Sequence, residues 1–240
     1  SPVWLQVALS RLGVRPINNI VDLTNYYMLL TGQPLHAYDY DKVKDRSGVA
    51  PMIVVRHPRE NEKLKLLNGK EITPIPNAIM IATDKELIGL GGVMGGADTE
   101  VDENTTNIIL EAATFDMYSI RRTSMAHGLF TDAVTRFTKG QSPLQNVAVI
   151  AKVAEDITAI AGGKIAGNLG DDNRLPKDVL ARQAVHEPVR INAAFINERL
   201  GLNLNTHEIT TLLENVEFLV QPDGTDIVVT APFWRTDIEI

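Results

Sequence analysis

The chain has 240 residues, a formal net charge of -7 at pH 7, and no cysteine. A chain of this length can bury a real core, in one large or two small domains. Its acidic balance argues against a general nucleic-acid binder, because such proteins usually present a basic surface. The lack of cysteine excludes disulfides and thiol catalysis and fits a reducing compartment.

The apolar runs are too short to span a bilayer, so no membrane partner is expected. The chain opens on Ser1-Pro2 rather than on methionine. We therefore expect a processed product or a piece of a longer protein, and we favour the second.

Two helices are predicted at the start of the chain. The first spans Ser1 to Leu12, with Ser1 as its cap. The second lies within Arg15 to Gly32, with Asn19 as its cap. Gly32 is expected in the left-handed conformation that ends many helices.

The second helix and the loop after it, up to Asp39, carry more polar side chains than packing needs. Asp22, Thr24 and Asn25 lie within one turn, and asparagine in mid-helix competes with the backbone for hydrogen bonds. We expect this stretch to meet a second one, Gly89 to Glu111, and to form one pocket with it.

A strand-rich region is predicted after a polar connection from Lys42 to Pro51. Asn68-Gly69 is the strongest short signal for a hairpin turn, and a second turn is predicted at Thr83-Asp84-Lys85. The predicted strands are Met52–Arg56, Lys63–Leu67, Lys70–Thr73, Ala78–Ala82, Glu86–Leu90 and Asn107–Glu111.

Further helices are predicted at Thr114–Thr123 and from Ser142-Pro143 through Ile160. The polar, proline-containing stretch from Asp171 to Pro188 is interpreted as a linker. Residues 1–183 and 189–240 are therefore predicted to form two domains.

The second domain begins with helices at Ala193–Leu200 and His207–Val216, and Asn205 and Glu208 are placed as a capping pair for the second of them. A hairpin around Asp223-Gly224 follows, so this unit is similar to a small winged helix. The predicted fold class is α/β in the broad sense (α+β), with mixed or antiparallel sheets covered by helices.

Five glycines cluster between two predicted strands: Gly89, Gly91, Gly92, Gly95 and Gly96. Their spacing is not that of a dinucleotide fingerprint, the Walker lysine is missing, and no helix start follows to meet an anion. A nucleotide-binding loop is therefore disfavoured. A structural turn is favoured, and a close approach of the backbone to a bound ligand stays open.

Glu111 ends a predicted strand in which alternation places it on the same face as Ile109. If that face is the core, the carboxylate needs a donor; a surface position at the strand end is given equal weight. His36 follows Pro34 in a polar loop, and a lone histidine is more often structural than catalytic. The five histidines are scattered without metal-ligand spacing, so no metal site is predicted. Arg121 and Arg122 are candidates for a local phosphate contact, with a solvated helix face as the default.

Several motifs occur in an order and at gaps that resemble one known family. They are RPINNIVDLTNYYMLLTGQPLHAYD, GLGGVMGG, NIILEAATF, IRRTS and HGLFTDAVTRFTKG. Together they resemble the B3/B4 editing domain of the bacterial-type phenylalanyl-tRNA synthetase beta subunit. The tail from about Val189 resembles the B5 domain of that subunit, cut short.

The resemblance implies the hydrolysis of tRNA(Phe) mischarged with tyrosine. A pocket built for phenylalanine rejects an added hydroxyl poorly, whereas a second site that hydrogen-bonds this hydroxyl selects tyrosine. By resemblance, Glu111 reads the para-hydroxyl, and Gly92 and Gly95 form the backbone wall around the ring.

By the same resemblance, His36, Asn25 and Thr24 lie near the ester and its attacking water, and Thr131 lies near the pocket. Water is activated either by His36 or by the terminal ribose hydroxyl of the tRNA, and the sequence leaves this open. We favour a positioning role for His36, because no carboxylate is evident in the sequence to orient its ring.

The resemblance also implies which cofactors, partners and cellular compartment to expect. No cofactor is expected in this part, while ATP and Mg²⁺ serve the whole synthetase. The expected partners are the mischarged tRNA(Phe) and the synthetase alpha subunit, in the cytoplasm. The alternative function is a non-catalytic module that holds tRNA or supports subunit assembly.

The chain departs from the family pattern at three positions. Val134, Thr138 and Ser142 stand where serine, glutamate and aspartate are usual. These positions lie outside the pocket motifs, so we expect the departures to affect local packing or tRNA contacts rather than the chemistry.

Overall fold

The computed structural model describes residues 1–48, 50–170 and 187–238. The chain divides into two compact units, Ser1–Leu169 and Gly170–Ile240, which are described separately. The predicted linker lies almost wholly outside the described residues, so the domain boundary at residues 183 to 189 stays a prediction.

The first unit contains helices near both of its ends and a strand-rich region between them. Its helices are α1 Val3–Arg11, α2 Asn19–Thr31, α3 Tyr40–Asp45, α4 Met117–His127, α5 Asp132–Phe137 and α6 Asn146–Ala161. Its strands are β1 Leu35–Asp39, β2 Val54–Arg56, β3 Leu64–Lys65, β4 Glu71–Ile72, β5 Met80–Ala82, β6 Leu87–Leu90, β7 Met94–Gly95 and β8 Ile108–Ala112.

The sheets of this unit are antiparallel, and the predicted fold class is confirmed. A four-stranded sheet has the order β2-β5-β6-β7, β3 pairs with β4, and β1 pairs with β8. The two predicted hairpins form, around Asn68-Gly69 and around Thr83-Asp84-Lys85. These are turns whose residue types favour the required backbone geometry locally.

The ends of the first two helices differ from the prediction. Asn18, not Asn19, is the cap of α2, and its side chain accepts a hydrogen bond from Val21 N at 2.9 Å. Ser1 does not cap α1; its hydroxyl donates to Asp22, so this side chain ties the chain start to α2. Gly32 has φ 77° and ends α2 as predicted.

Two helices were not predicted from the sequence. The stretch read as a polar connection contains α3, which begins because the side chain of Asp39 accepts a hydrogen bond from Lys42 N at 2.9 Å. The helix α5 begins in the same way at Thr131, whose hydroxyl oxygen accepts from Val134 N at 3.2 Å. Both helices are short, so neither shows a hydrophobic period that could be read in advance.

The β1–β8 ladder lies between two layers of the core. Leu35 and Leu110 pack with the helical cluster formed by α1, α2 and α6. The alternate positions Tyr38 and Ile109 pack with Ile81 and its neighbours in the four-stranded sheet. Side chains alternate across a strand, so the face that carries Tyr38 also carries the residues two positions away on each strand.

The three departures from the family pattern are absorbed locally. Val134 is buried in the sheet core, and Thr138 donates to the Val134 carbonyl at 2.7 Å. Ser142 caps a single 3₁₀ turn, Pro143–Gln145, that precedes α6. The long helix therefore begins a few residues later than predicted.

The second unit combines helices and an antiparallel sheet. Its elements are β9 Val189–Asn192, α7 Ala193–Leu200, α8 Thr206–Glu214, β10 Leu219–Asp223 and β11 Asp226–Thr230. The predicted capping pair is confirmed as a capping box between Asn205 and Glu208. The strand β9 was missed and completes a three-stranded sheet by pairing with β11.

Across the described part of the chain, the helices are too short or too polar to traverse a lipid bilayer.

Candidate functional site

A cavity of about 250 Å³ opens beside the β1–β8 ladder. Its wall is built by α2, β1, the segment from Gly89 to Gly96 (hereafter the glycine-rich loop), β8 and the beginning of α5. The two polar stretches that were expected to meet do meet here, because His36 is the direct cross-strand partner of Glu111. The predicted site residues in the wall are Asn25, His36, Gly92, Gly95, Glu111 and Thr131.

Glu111 faces the cavity from β8 and has a partner that sequence reasoning missed. The hydroxyl of Tyr38 donates to Glu111 Oε2 at 2.6 Å. Burial raises the pKa of Glu111, and the hydrogen bond from Tyr38 lowers it in part. The carboxylate thus has the donor that a buried acid requires.

Tyr38 contacts both predicted polar residues, His36 and Glu111. It stands two positions after His36 on β1, and the two rings meet edge-on with their centroids 4.4 Å apart. Burial, followed by the charge of Glu111, raises the pKa of Tyr38 well above its ordinary value. This stretch was predicted to be a loop, and that prediction was wrong because residues Leu35–Asp39 form β1. The alternation His36-Ala37-Tyr38 then places both rings on one face of the strand.

His36 is a neutral imidazole at physiological pH. Burial lowers its pKa to about 4. Its Nε2 atom is buried and has no hydrogen-bond partner among the described residues. Buried polar atoms are nearly always paired, so this unpaired ring nitrogen is an exception of the kind that is often found at functional sites.

The glycine-rich loop is shaped by close packing. A Cβ atom at Gly95 would lie 2.5 Å from His36 Cε1. Gly92 has φ +67°, and a Cβ atom there would lie 2.7 Å from Ile120 Cδ1. The favoured interpretation, a structural turn, is therefore supported at Gly92. Gly95 instead leaves room for the His36 side chain.

Thr131 is held by the backbone around it. Its hydroxyl donates to the Val93 carbonyl at 2.9 Å, and its oxygen accepts from Val134 N. These bonds fasten the start of α5 to the glycine-rich loop. Asp132, which sequence reasoning also missed, follows Thr131 in the cavity wall.

Asn25 and Thr24 are separated by the geometry of α2. Asn25 is half-buried and lines the cavity. Thr24 is buried, its hydroxyl donates to the Val21 carbonyl at 2.8 Å, and it is not part of the wall. Consecutive residues of a helix point about 100° apart, and here the Thr24 hydroxyl turns back to its own helix while Asn25 faces the cavity.

Gln33 fixes the start of β1. Its fully buried amide donates to the carbonyls of Pro34 and Ala113, at 3.0 and 2.8 Å, and its oxygen accepts from Gln145 at 2.9 Å. These bonds join the loop before His36 to the end of β8. The hydrogen bonds of Gln33 thus help to fix β1, which carries His36, relative to β8, which carries Glu111.

The remaining candidates lie elsewhere. Arg121 and Arg122 are exposed on α4, outside the cavity wall, and Arg122 donates to Ser119 Oγ at 3.1 Å. Within residues 1–48, 50–170 and 187–238, histidine, aspartate and glutamate side chains do not gather in threes as a metal site would require. That the site works without a metal stays a prediction.

Two family models match separate parts of the chain. The model of the B3/4 domain family matches residues 1–162, and that of the tRNA synthetase B5 domain matches residues 189–240. The chain is 41% identical to the phenylalanine--tRNA ligase beta subunit of Protochlamydia amoebophila, over 100% of this chain and 28% of that protein. It is 37% identical to that of Halalkalibacterium halodurans, over the same shares of both chains.

A solved structure is also similar, an N-terminal fragment of the phenylalanyl-tRNA synthetase beta subunit from Pyrococcus horikoshii. It is 15% identical, with a TM-score of 0.38, and the match covers 92% of this chain and 61% of that one. The chain spans 28% of the length of the two bacterial relatives. With more than half of its length matched by one family model, the chain belongs to the B3/4 domain family of phenylalanine--tRNA ligase beta subunits, with a B5 domain after it.

Proposed function

We propose that the cavity beside the β1–β8 ladder binds the tyrosyl group of mischarged tyrosyl-tRNA(Phe) and hydrolyses its ester. The observation that carries this proposal is the pairing of Glu111 and His36 on neighbouring strands, both facing one small cavity. Glu111 can accept a hydrogen bond from a phenol hydroxyl, and His36 can lie beside the ester. Together they form a site for an amino acid linked through its carboxyl group.

The hydroxyl end is assigned to Glu111. A carboxylate accepts hydrogen bonds at both oxygens, and Tyr38 occupies one of them. The phenol of a bound tyrosine donates to the other oxygen. Phenylalanine would leave that buried acceptor unpaired, and this penalty is the basis of selection.

The rest of the wall suits an aromatic ring. Apolar residues dominate it, and the cavity of about 250 Å³ lies just below the usual range of ~300–1,000 Å³ for ligand pockets. A single amino acid side chain is therefore a better match than a nucleotide. The apolar wall includes Met28, Leu90, Val93, Phe115 and Phe137.

The ester end is assigned to His36 and Asn25. A histidine whose pKa is about 4 is a weak base at neutral pH. In addition, the Tyr38 hydroxyl donates its hydrogen bond to Glu111 and not to the His36 imidazole. Both observations favour positioning of water or ribose by His36 over proton abstraction. Activation of the water is then left to the ribose hydroxyl of the tRNA.

The wider setting follows from the relatives. Their printed name, phenylalanine--tRNA ligase beta subunit, supports tRNA(Phe) and an alpha subunit as partners. ATP and Mg²⁺ as requirements of the complete synthetase, and the cytoplasm as its compartment, are part of the proposal. A non-catalytic module that holds tRNA is the second candidate. The exposed pair Arg121 and Arg122 on α4 favours it, because phosphate contacts are typically made by arginine.

The test is single-turnover deacylation of tyrosyl-tRNA(Phe) and phenylalanyl-tRNA(Phe) by the whole chain, with protein-free tRNA as the baseline. The proposal predicts faster release of tyrosine than of phenylalanine, and an increase over the baseline. Binding of tRNA(Phe) without any increase in deacylation would favour the non-catalytic module instead.

A further inference from the structure

Tyr38 contacts both polar residues of the proposed site. Its hydroxyl donates to Glu111 Oε2 at 2.6 Å, and its ring packs edge-on against His36. The side chain is 2% exposed, so it belongs to the folded wall rather than to the surface. Among the described residues, no other side chain or backbone group donates a hydrogen bond to the Glu111 carboxylate.

We propose that Tyr38 is a positioning residue that sets the preference of the cavity for tyrosyl over phenylalanyl groups by fixing the Glu111 carboxylate. The proposal rests on the proposed function and adds to it the residue that orients the hydroxyl reader. Tyr38 does not touch the substrate in this scheme; it acts through Glu111.

The geometry of the ladder explains why an anchor is needed. His36 and Tyr38 lie on one face of β1, and Glu111 lies opposite His36 and diagonal to Tyr38. A glutamate side chain has several rotatable bonds, so an unanchored carboxylate would lose conformational freedom when a ligand orders it. The bond from Tyr38 orders it beforehand, and preorganisation of this kind raises affinity.

The phenol itself is held by its neighbours. The ring packs with Val43, Ile81 and Ile88. A Cβ atom at Gly89 would lie 3.6 Å from the Tyr38 hydroxyl, so the backbone of β6 closes one side of its slot. Replacement by phenylalanine keeps this packing and removes only the donor.

A matched control exists elsewhere in the fold. Tyr27 is also buried, and its hydroxyl donates to Asp156 Oδ2 at 2.5 Å, within the helical cluster and outside the cavity wall. Tyr27→Phe therefore removes the same kind of bond, from a buried phenol to a carboxylate. It tests the cost to the fold without touching the site.

The experiment measures the Kd of free tyrosine and of free phenylalanine for the whole chain, and KM and kcat for deacylation of tyrosyl-tRNA(Phe). Tyr38→Phe is expected to raise the Kd of tyrosine about 5–20-fold, the size of a weakened hydrogen bond to a charged group. The Kd of phenylalanine should change less than about twofold. In deacylation, Tyr38→Phe should raise KM and leave kcat nearly unchanged. Tyr27→Phe should change neither KM nor kcat.

A double-mutant cycle shows whether Tyr38 acts through Glu111. In a Glu111→Ala background, Tyr38→Phe should cause no further loss of tyrosine affinity. A full additional loss would overturn the proposal. So would tighter tyrosine binding in Tyr38→Phe, which would mean that the two phenols compete for one carboxylate.

The outcomes separate this inference from the proposed function. A wild-type chain that shows no preference for tyrosine would overturn the function and, with it, this role. A preference that Glu111→Ala removes and Tyr38→Phe leaves intact would overturn the role of Tyr38 alone. Equal losses for tyrosine and phenylalanine in Tyr38→Phe would show that Tyr38 only supports the fold.

Discussion

Gly95 leaves the space that the imidazole of His36 fills. A Cβ atom at position 95 would lie 2.5 Å from His36 Cε1 and 2.8 Å from Nε2. The atoms that would clash belong to the tip of the His36 ring and not to the backbone. A larger residue at position 95 would therefore displace the ring before it disturbed the sheet. The glycine thus acts on the site through His36.

Gly95→Ala should therefore slow deacylation of tyrosyl-tRNA(Phe) while the chain remains folded. Displacement of a positioned group by about 1 Å can cost about 10²-fold in rate. Gly167→Ala is the control, because a Cβ atom there meets nothing within 4 Å. Equal rates for the two variants in a single-turnover assay would show that the position of His36 does not matter.

His36→Ala tests how the imidazole contributes. A positioning role predicts a rate loss below the roughly 10²–10⁴-fold expected for removal of a general base. Since the pKa of His36 is lowered to about 4, the wild-type rate should show no acid limb from this residue between pH 5 and 9. A limb near pH 6.5 that His36→Ala abolishes, together with a large rate loss, would contradict this role.

The lowered pKa of His36 also predicts a loss of stability in acid. Between pH 6.5 and about 4 the unfolded chain binds a proton that the folded chain does not, so the unfolding free energy falls as the pH is lowered through this window. The total effect is at most about 3 kcal/mol. Urea unfolding at several pH values should show a smaller fall for His36→Asn than for wild type or for His207→Asn, an exposed control. The same fall in all three chains would count against burial of a neutral imidazole.

Thr24 and Asn25 should differ in effect although they are adjacent. Thr24→Ser keeps the bond to the Val21 carbonyl and lies outside the wall, so the deacylation rate should change less than about threefold. Asn25→Ala removes an amide from the wall and should slow the reaction by about tenfold or more. A larger loss for Thr24→Ser would show that Thr24 reaches the substrate.

The elements that sequence reasoning found are those with local causes. The hairpin at Asn68-Gly69 and the capping box of Asn205 and Glu208 depend on a few adjacent residues, and both are present. Alternation also placed Ile109 and Glu111 on one face, as the ladder confirms. The short helix α3 was missed because a single turn and a half carries no readable period.

The site could be predicted in outline but not in its partners. The pairing of His36 with Glu111 joins positions far apart in the sequence, and no local pattern specifies that register. Tyr38 was overlooked because a buried aromatic residue is ordinarily read as core packing. The close approach of Gly95 to His36 was not predicted either, because a glycine in a sequence does not show which atom it makes room for.

The assignment of Glu111 as reader of the substrate hydroxyl is tested most directly by calorimetry. The measurement is the Kd of tyrosine and of phenylalanine for the wild-type chain and for Glu111→Ala. The account predicts that tyrosine loses about 1.5–3 kcal/mol of binding free energy, the value of a hydrogen bond to a charged group, while phenylalanine binding stays nearly unchanged. An equal loss for both amino acids, or none for tyrosine, would contradict it.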